Sequence, residues 1–250
     1  MPILPDVSPL QLALIVGLAA VSGVTGGIAG YGTGALMPLV LVPLVGAEPV
    51  VPIIAVSALF TNAARIFVFR RRLDGRRALI ALVAALPTCV LGAWLYTLLS
   101  GRGAALVIGS TLIATVPLRR LLSARGYRLG DKGYVAGAAF WGMVMGGTTG
   151  AGIILLSLLM AAGLEGAAVI ATDAMVSVVV GAMKLAVFGF AGVVGHTVLA
   201  VGILIGAIGF SCTFLAKLIV ERLPVHMHTA ILDVVVLVGG GTMIFAAVRP

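Results

Sequence analysis

The 250 residues are 61% hydrophobic and only 10% charged, with a mean hydropathy of +1.24, whereas a soluble domain carries about a quarter charged residues. This excludes a soluble globular domain. It also removes nucleic acid as the explanation of the +8 net charge, because the basic residues fall almost entirely in short loops between apolar segments, where they set membrane orientation. The chain reads as an all-α polytopic membrane protein of about six to ten crossings at roughly 20 residues each.

The N-terminal MPILPDVSP carries Asp6 and neither Lys nor Arg, unlike the basic start of a cleavable signal, so the first apolar segment is expected to remain. That block runs from Pro9 to Gly46 and is too long for one crossing. At its centre lies GVTGGIAGYGTG, Gly23 to Gly34, with six glycines in twelve residues. Lipid-exposed backbone cannot be left unpaired, so such a stretch belongs inside protein or against a polar cavity. A hairpin or re-entrant pair is expected here.

Pro49 to Phe69 follows as a span, closed by Arg70, Arg71, Arg72, Arg76 and Arg77, which the positive-inside rule places in the cytoplasm. Ala78 to Leu99 returns, and Ala104 to Leu118 crosses again. The next loop, with Arg119, Arg120, Arg125, Arg128 and Lys132, is again expected inside. It divides the chain into an N-terminal repeat, 1–122, a basic cytoplasmic linker, 123–133, and a C-terminal repeat, 134–250.

The second half repeats the first. GMVMGGTTGAG, Gly142 to Gly152, answers Gly26, Gly27, Gly30 and Gly32 with Gly146, Gly147, Gly150 and Gly152. Tyr134 to Gly163 is therefore a second glycine-broken hairpin, with spans at Glu165 to Phe190, Gly195 to Leu218 and Ala230 to Ala247. Gly46-Ala47-Glu48 corresponds to Gly163-Leu164-Glu165, and Ile54-Ala55-Val56-Ser57 to Ile170-Ala171-Thr172-Asp173. A hairpin plus three crossings is an odd count of crossings, so the second repeat enters from the opposite side. This is the inverted-repeat plan of many secondary transporters, in which paired breaks point to the binding site.

The glycine-rich segment ending in a proline-bearing leg (GGIAGYGTGALMPL), the Gly-x-Glu-Pro turn and the small-residue helix (GAEPVVPIIAVSALFTNAARIF) recur in weaker form after the basic loop. In this arrangement the chain resembles the sulfite exporter TauE/SafE family of bacterial membrane proteins over nearly its whole length. The resemblance implies ion-coupled export of a small anion, such as sulfite or an organosulfonate like sulfoacetate, across the bacterial inner membrane. Leu158 replaces Pro38 in the second repeat, and Asp173 stands where the first has Ser57.

An anion crossing a bilayer needs donors and positive potential in place of water. Backbone N–H groups at Gly26, Gly27, Gly30, Gly32, Gly146, Gly147, Gly150 and Gly152, with the starts of the following half-helices, supply both. Thr25, Thr33, Thr148 and Thr149 add hydroxyls. The competing reading is close helix packing, for which Gly26/Gly30 and Gly146/Gly150 have the four-residue spacing. Intramembrane charge marks function by default, which singles out Arg65 (near Asn62) and Lys184 (near Ser177) as anion ligands in matching helices. Each lies about 9 Å from its helix end, within snorkelling reach of the interface. Asp173, about 12 Å deep, is the ion-coupling candidate as proton acceptor or sodium ligand, with a counter-charge role, to Lys184 or to another helix, as the alternative. Asp233 reads as interfacial, and His226 and His228 as a weak metal signal without a third ligand.

No cofactor or metal is expected, and Cys89 and Cys212 read as packing residues. No nucleophile with a base and no metal-binding helix motif is present, which argues against an enzyme. An anion channel with re-entrant half-helices is the nearer rival. Expected partners are the small anion and the lipid bilayer, with a homodimer open and no nucleic acid.

Overall fold

The computed structural model describes residues 8–29, 32–124, 128–220, 237–238 and 240–248. Asp6, Gly30, Arg125, His226, His228 and Asp233, with residues 230–236 of the expected last span, lie outside the described residues. The described chain is helical throughout: α1 (Pro9–Ala29), α2 (Gly32–Val45), α3 (Val50–Phe69), a 3-10 turn (Arg70–Arg72), α4 (Gly75–Thr97), α5 (Gly101–Ala124), α6 (Asp131–Gly147), α7 (Gly152–Ala161), α8 (Ala167–Phe190) and α9 (His196–Val220), with residues 240–248 helical as well. No strand occurs among the described residues. Among the described residues six helices are long and apolar enough to cross a membrane, and α2 and α7 are shorter apolar helices.

The two glycine-broken blocks are unequal hairpins. The 21 residues of α1 span about 31 Å, enough for the roughly 30 Å hydrocarbon core, whereas the 14 residues of α2 span about 21 Å. In the second block the 17 residues of α6 and the 10 of α7 span about 26 Å and 15 Å. The second hairpin closes on itself. Leu129 N, just before α6, donates to Ala161 O at the end of α7 at 2.8 Å, and the Trp141 indole donates to Ala151 O at 3.0 Å.

Both basic loops sit on one face. Arg77 Nη1 reaches Asp131 Oδ1 at 2.7 Å, and the Tyr134 hydroxyl donates to Arg77 O at 3.0 Å, so the starts of α4 and α6 lie together. Asp74 N donates to Thr172 Oγ1 at 3.1 Å, which brings the start of α8 to the same basic face. On the opposite face the Tyr96 hydroxyl donates to Ala47 O and Glu48 O at 2.9 and 3.1 Å, and its ring lies 5.7 Å from that of Phe188. The ends of α2, α4 and α8 therefore meet there. It follows that α7 ends at the basic face and α2 at the other.

The centre is the pair α3 and α8, packed on each other. Helix α9 covers α3 and packs on α1, while α4 covers α8 and packs on α6. Exchanging α1–α4 for α6–α9 in order leaves these pairings unchanged. The cover helices approach closely because small residues face inward. A Cβ on Gly146 would meet Ala93 N at 2.8 Å, and one on Gly23 would meet Gly209 Cα at 2.8 Å. Leu10, Leu79, Val83, Trp94, Phe140 and Leu215 point outward and exposed, as a surface immersed in lipid tails permits; close small-residue contact is what holds such helices together.

Candidate functional site

Each central helix carries one polar stripe through an otherwise apolar core. On α3, Ser57, Thr61, Asn62 and Arg65 are buried, and on α8, Thr172, Asp173, Ser177 and Lys184. Spacings of three, four and seven residues, with the adjacent pairs Thr61–Asn62 and Thr172–Asp173, keep each set on one broad helix face. Where the stripes meet, Arg65 Nη1 donates to Asp173 Oδ2 at 3.0 Å, and Arg65 Nη2 donates to Asn62 Oδ1 one turn earlier. The two charged side chains retain 7% and 1% of their exposure. Arg65 therefore turns inward to a counter-charge rather than snorkelling to the interface. Asp173 Oδ1 is buried without a hydrogen-bond partner among the described residues.

Lys184 also turns inward, to a different place. Its Nζ donates to Met145 O, in the last turn of α6, at 2.7 Å and to Thr148 O, just past the helix end, at 2.6 Å, and a cation there neutralises the partial negative charge of the helix C-terminus. Asp173 and Lys184 do not pair; the counter-charge of Asp173 is Arg65, on another helix. The two cations are also not equivalent in the repeat, since Arg65 lies eight residues after Ser57 and Lys184 eleven after Asp173.

The two glycine breaks touch. Thr149 Oγ1 donates to Gly34 O at 2.8 Å. A Cβ on Gly34 would lie 2.8 Å from Gly150 N, and Gly150 itself has φ +81°, a left-handed conformation that glycine adopts without strain. Beside this contact lies a cavity of about 60 Å³, room on the order of a few water molecules or one small polyatomic ion. The first hairpin contributes Gly26, Gly32, Thr33 and Gly34, the second Met145, Thr149, Gly150 and Gly152, and α3 contributes Ala58, Thr61, Asn62 and Arg65, with Ser177 from α8. The first turn of α2 and the start of α7 thus line one space together with a guanidinium.

A model of the sulfite exporter TauE/SafE family matches residues 13–243, nearly the whole chain. The chain belongs to the TauE/SafE family. No curated protein and no solved structure matches it. As a member of this transporter family with six apolar helices of crossing length, it is a multi-pass membrane protein.

In this TauE/SafE chain the cavity brings together eight of the residues singled out from sequence: Gly26, Gly32, Thr33, Asn62, Arg65, Thr149, Gly150 and Gly152. Gly27, Gly146, Gly147, Thr148, Asp173 and Lys184 are not in its lining, and Gly30 lies outside the described residues. Asp173 sits directly behind Arg65, and Gly146 packs against the α4 backbone. Thr148 Oγ1 is buried without a hydrogen-bond partner among the described residues. Sequence reasoning passed over Gly34 because its repeat counterpart is Ile154; Gly34, in the first turn of α2, meets the second break at Gly150, a contact that only one half makes through a glycine. Thr61 and Ser177 were legible only as polar residues one or more turns from a charge, a weak signal.

Proposed function

We propose that this TauE/SafE chain is a secondary transporter of the bacterial inner membrane that exports a small anion, sulfite or an organosulfonate such as sulfoacetate, by alternating access coupled to an ion gradient. The observation that carries this reading is the shared cavity, where Arg65 and the starts of two half-helices line one space. Backbone N–H groups at a helix start and a fixed guanidinium together replace the hydration of an oxyanion. Asn62 holds the guanidinium from one side, leaving less conformational freedom to lose on binding. Lys184, bound to the end of α6, adds positive charge behind the second break. Asp173, paired with Arg65, is the coupling acid.

The two halves, 1–122 and 134–250 about the linker 123–133, act in this proposal as inverted repeats that rock about the glycine breaks. Supporting this are the exchange-invariant helix packing and the exit of α2 and α7 at opposite faces. Transporters of this design place the site where the repeats meet. Thr149, bonded to Gly34 O across the two breaks, is the latch that a rocking step must open.

Purified protein in liposomes provides the test. Loaded with unlabelled sulfite or sulfoacetate, it should take up the labelled compound by saturable counterflow, and Arg65→Gln should abolish that exchange. Unsaturable conductance with no exchange would establish the channel instead. Absence of any movement of either anion would overturn the proposal.

A further inference from the structure

Of the buried ion pair only Arg65 lies in the cavity wall, and this geometry sets a rule for what binding an anion entails. Arg65 lines the cavity while Asp173 does not, so the guanidinium stands between the space and the carboxylate. The only donor that Asp173 receives among the described residues is Arg65 Nη1, at 3.0 Å on Oδ2. Its Oδ1 has none, and the residue is fully buried. Asp173 therefore depends on one bond to one cation.

We propose that the transported anion and the Asp173 carboxylate compete for Arg65, so that each anion bound brings one proton onto Asp173. This rests on the transporter reading above and adds the identity and direction of the coupled ion. When an oxyanion takes Arg65 Nη1, an ionised Asp173 would be left buried with neither donor nor counter-charge, a state so costly that the group neutralises. The proton comes from the aqueous phase the cavity then faces, and adds to a carboxylate oxygen to give the neutral acid. On release of the anion, Arg65 swings back, Asp173 ionises and the proton leaves to the same phase as the anion. Proton and anion thus travel the same way. A monovalent anion crosses without net charge, and a divalent one carries a single negative charge.

The neighbourhood leaves Asp173 as the group that exchanges. Helix α7, packed on α8, carries no titratable side chain. Arg70 to Arg72 are exposed, with Arg70 over the Phe67 ring. On α4, Asp74 caps the helix through Arg77 N, Arg77 is engaged by Asp131, and Cys89 is packed with Sγ 3.8 Å from Val180 O. Tyr134 on α6 donates to Arg77 O. Lys184, three turns along α8, is held by the end of α6.

Sulfoacetate near pH 7.5 is the probe, because both its acid groups are then ionised and it carries no proton of its own. Liposomes loaded with it, with no pH gradient imposed, should export protons with the anion at about one to one, read with an external pH dye. Asp173→Asn should move the anion with no proton. In a second measurement that needs no variant, titration calorimetry of wild-type protein in two buffers of different ionisation enthalpy should give about one proton taken up per sulfoacetate bound. Sulfoacetate moved or bound with no proton overturns this inference and leaves the transporter standing. Loss of all saturable movement of both sulfite and sulfoacetate by wild-type protein overturns the transporter and this inference with it.

Discussion

Replacing Asp173 with Asn tests the central ion pair directly. The substitution keeps size and shape but removes the charge that faces Arg65 at 3.0 Å, at a place where the two side chains keep 7% and 1% of their exposure. Arg65 would be left with the neutral Asn62 Oδ1 as its bonded partner. Removing one partner of a buried pair costs about 3–5 kcal/mol, because the remaining charge is uncompensated. At about 2–4 °C per kcal/mol for a chain of this size, melting in detergent should fall by on the order of 10 °C, and the intrinsic fluorescence of the buried Trp141 reports it. Adding Arg65→Gln should restore most of the loss, since no charge is then buried alone, whereas adding Lys184→Gln should not, because Lys184 bonds to carbonyls of α6 rather than to Asp173. An anion in the cavity would also supply the missing charge, so sulfite or sulfoacetate should stabilise Asp173→Asn more than wild type; a ligand at 100 times its Kd adds about 2.7 kcal/mol. Asp173→Asn melting with wild type, or rescue by Lys184→Gln in place of Arg65→Gln, would refute the reasoning.

The glycines should separate into two classes. Gly34→Ala, whose Cβ would press on Gly150 N at 2.8 Å, should part the two breaks and abolish anion counterflow in a protein that still inserts, while Gly146→Ala, pressing on the α4 backbone, should lower folded yield; equal counterflow per folded molecule in Gly34→Ala would count against the cavity as the site. Gly150→Leu adds a side chain at φ +81° and should lose counterflow and about 1–2 kcal/mol of stability, which transport assays and melting would show together. Lys184→Gln should cost about 1–3 kcal/mol through the unpaired ends of α6, with a smaller loss of anion affinity than Arg65→Gln in the same binding titration. For topology, cysteines at the exposed Arg72 and Arg128 should label from one side of the membrane and a cysteine at the exposed Glu48 from the other; opposite labelling of Arg72 and Arg128 would break the shared basic face.

Sequence by itself determined the class of this protein and the positions of its breaks. In hydrocarbon every backbone group must bond within its own segment, so apolar length alone delimits α3, α8 and α9 to within a few residues, and glycine density alone marks where α1 and α6 stop. The basic loops around Arg76 and Asp131 were legible for the same local reason, that charge cannot stay in lipid. The hairpins were legible as interruptions but not as unequal legs, since the end of α7 is fixed by a bond from Leu129 to Ala161 across the hairpin.

What only the tertiary structure decided is which charge answers which. Arg65 and Lys184 look alike in sequence, each a lone cation inside an apolar helix, yet one meets a carboxylate 108 residues away and the other the carbonyls that end α6. Gly34 and Gly146 look alike too, and one lies against the opposite break while the other lies against the α4 backbone. In both comparisons the residue type specifies only that a partner must approach closely. The partner itself comes from helix packing over long separations, which the local pattern of an apolar sequence does not encode.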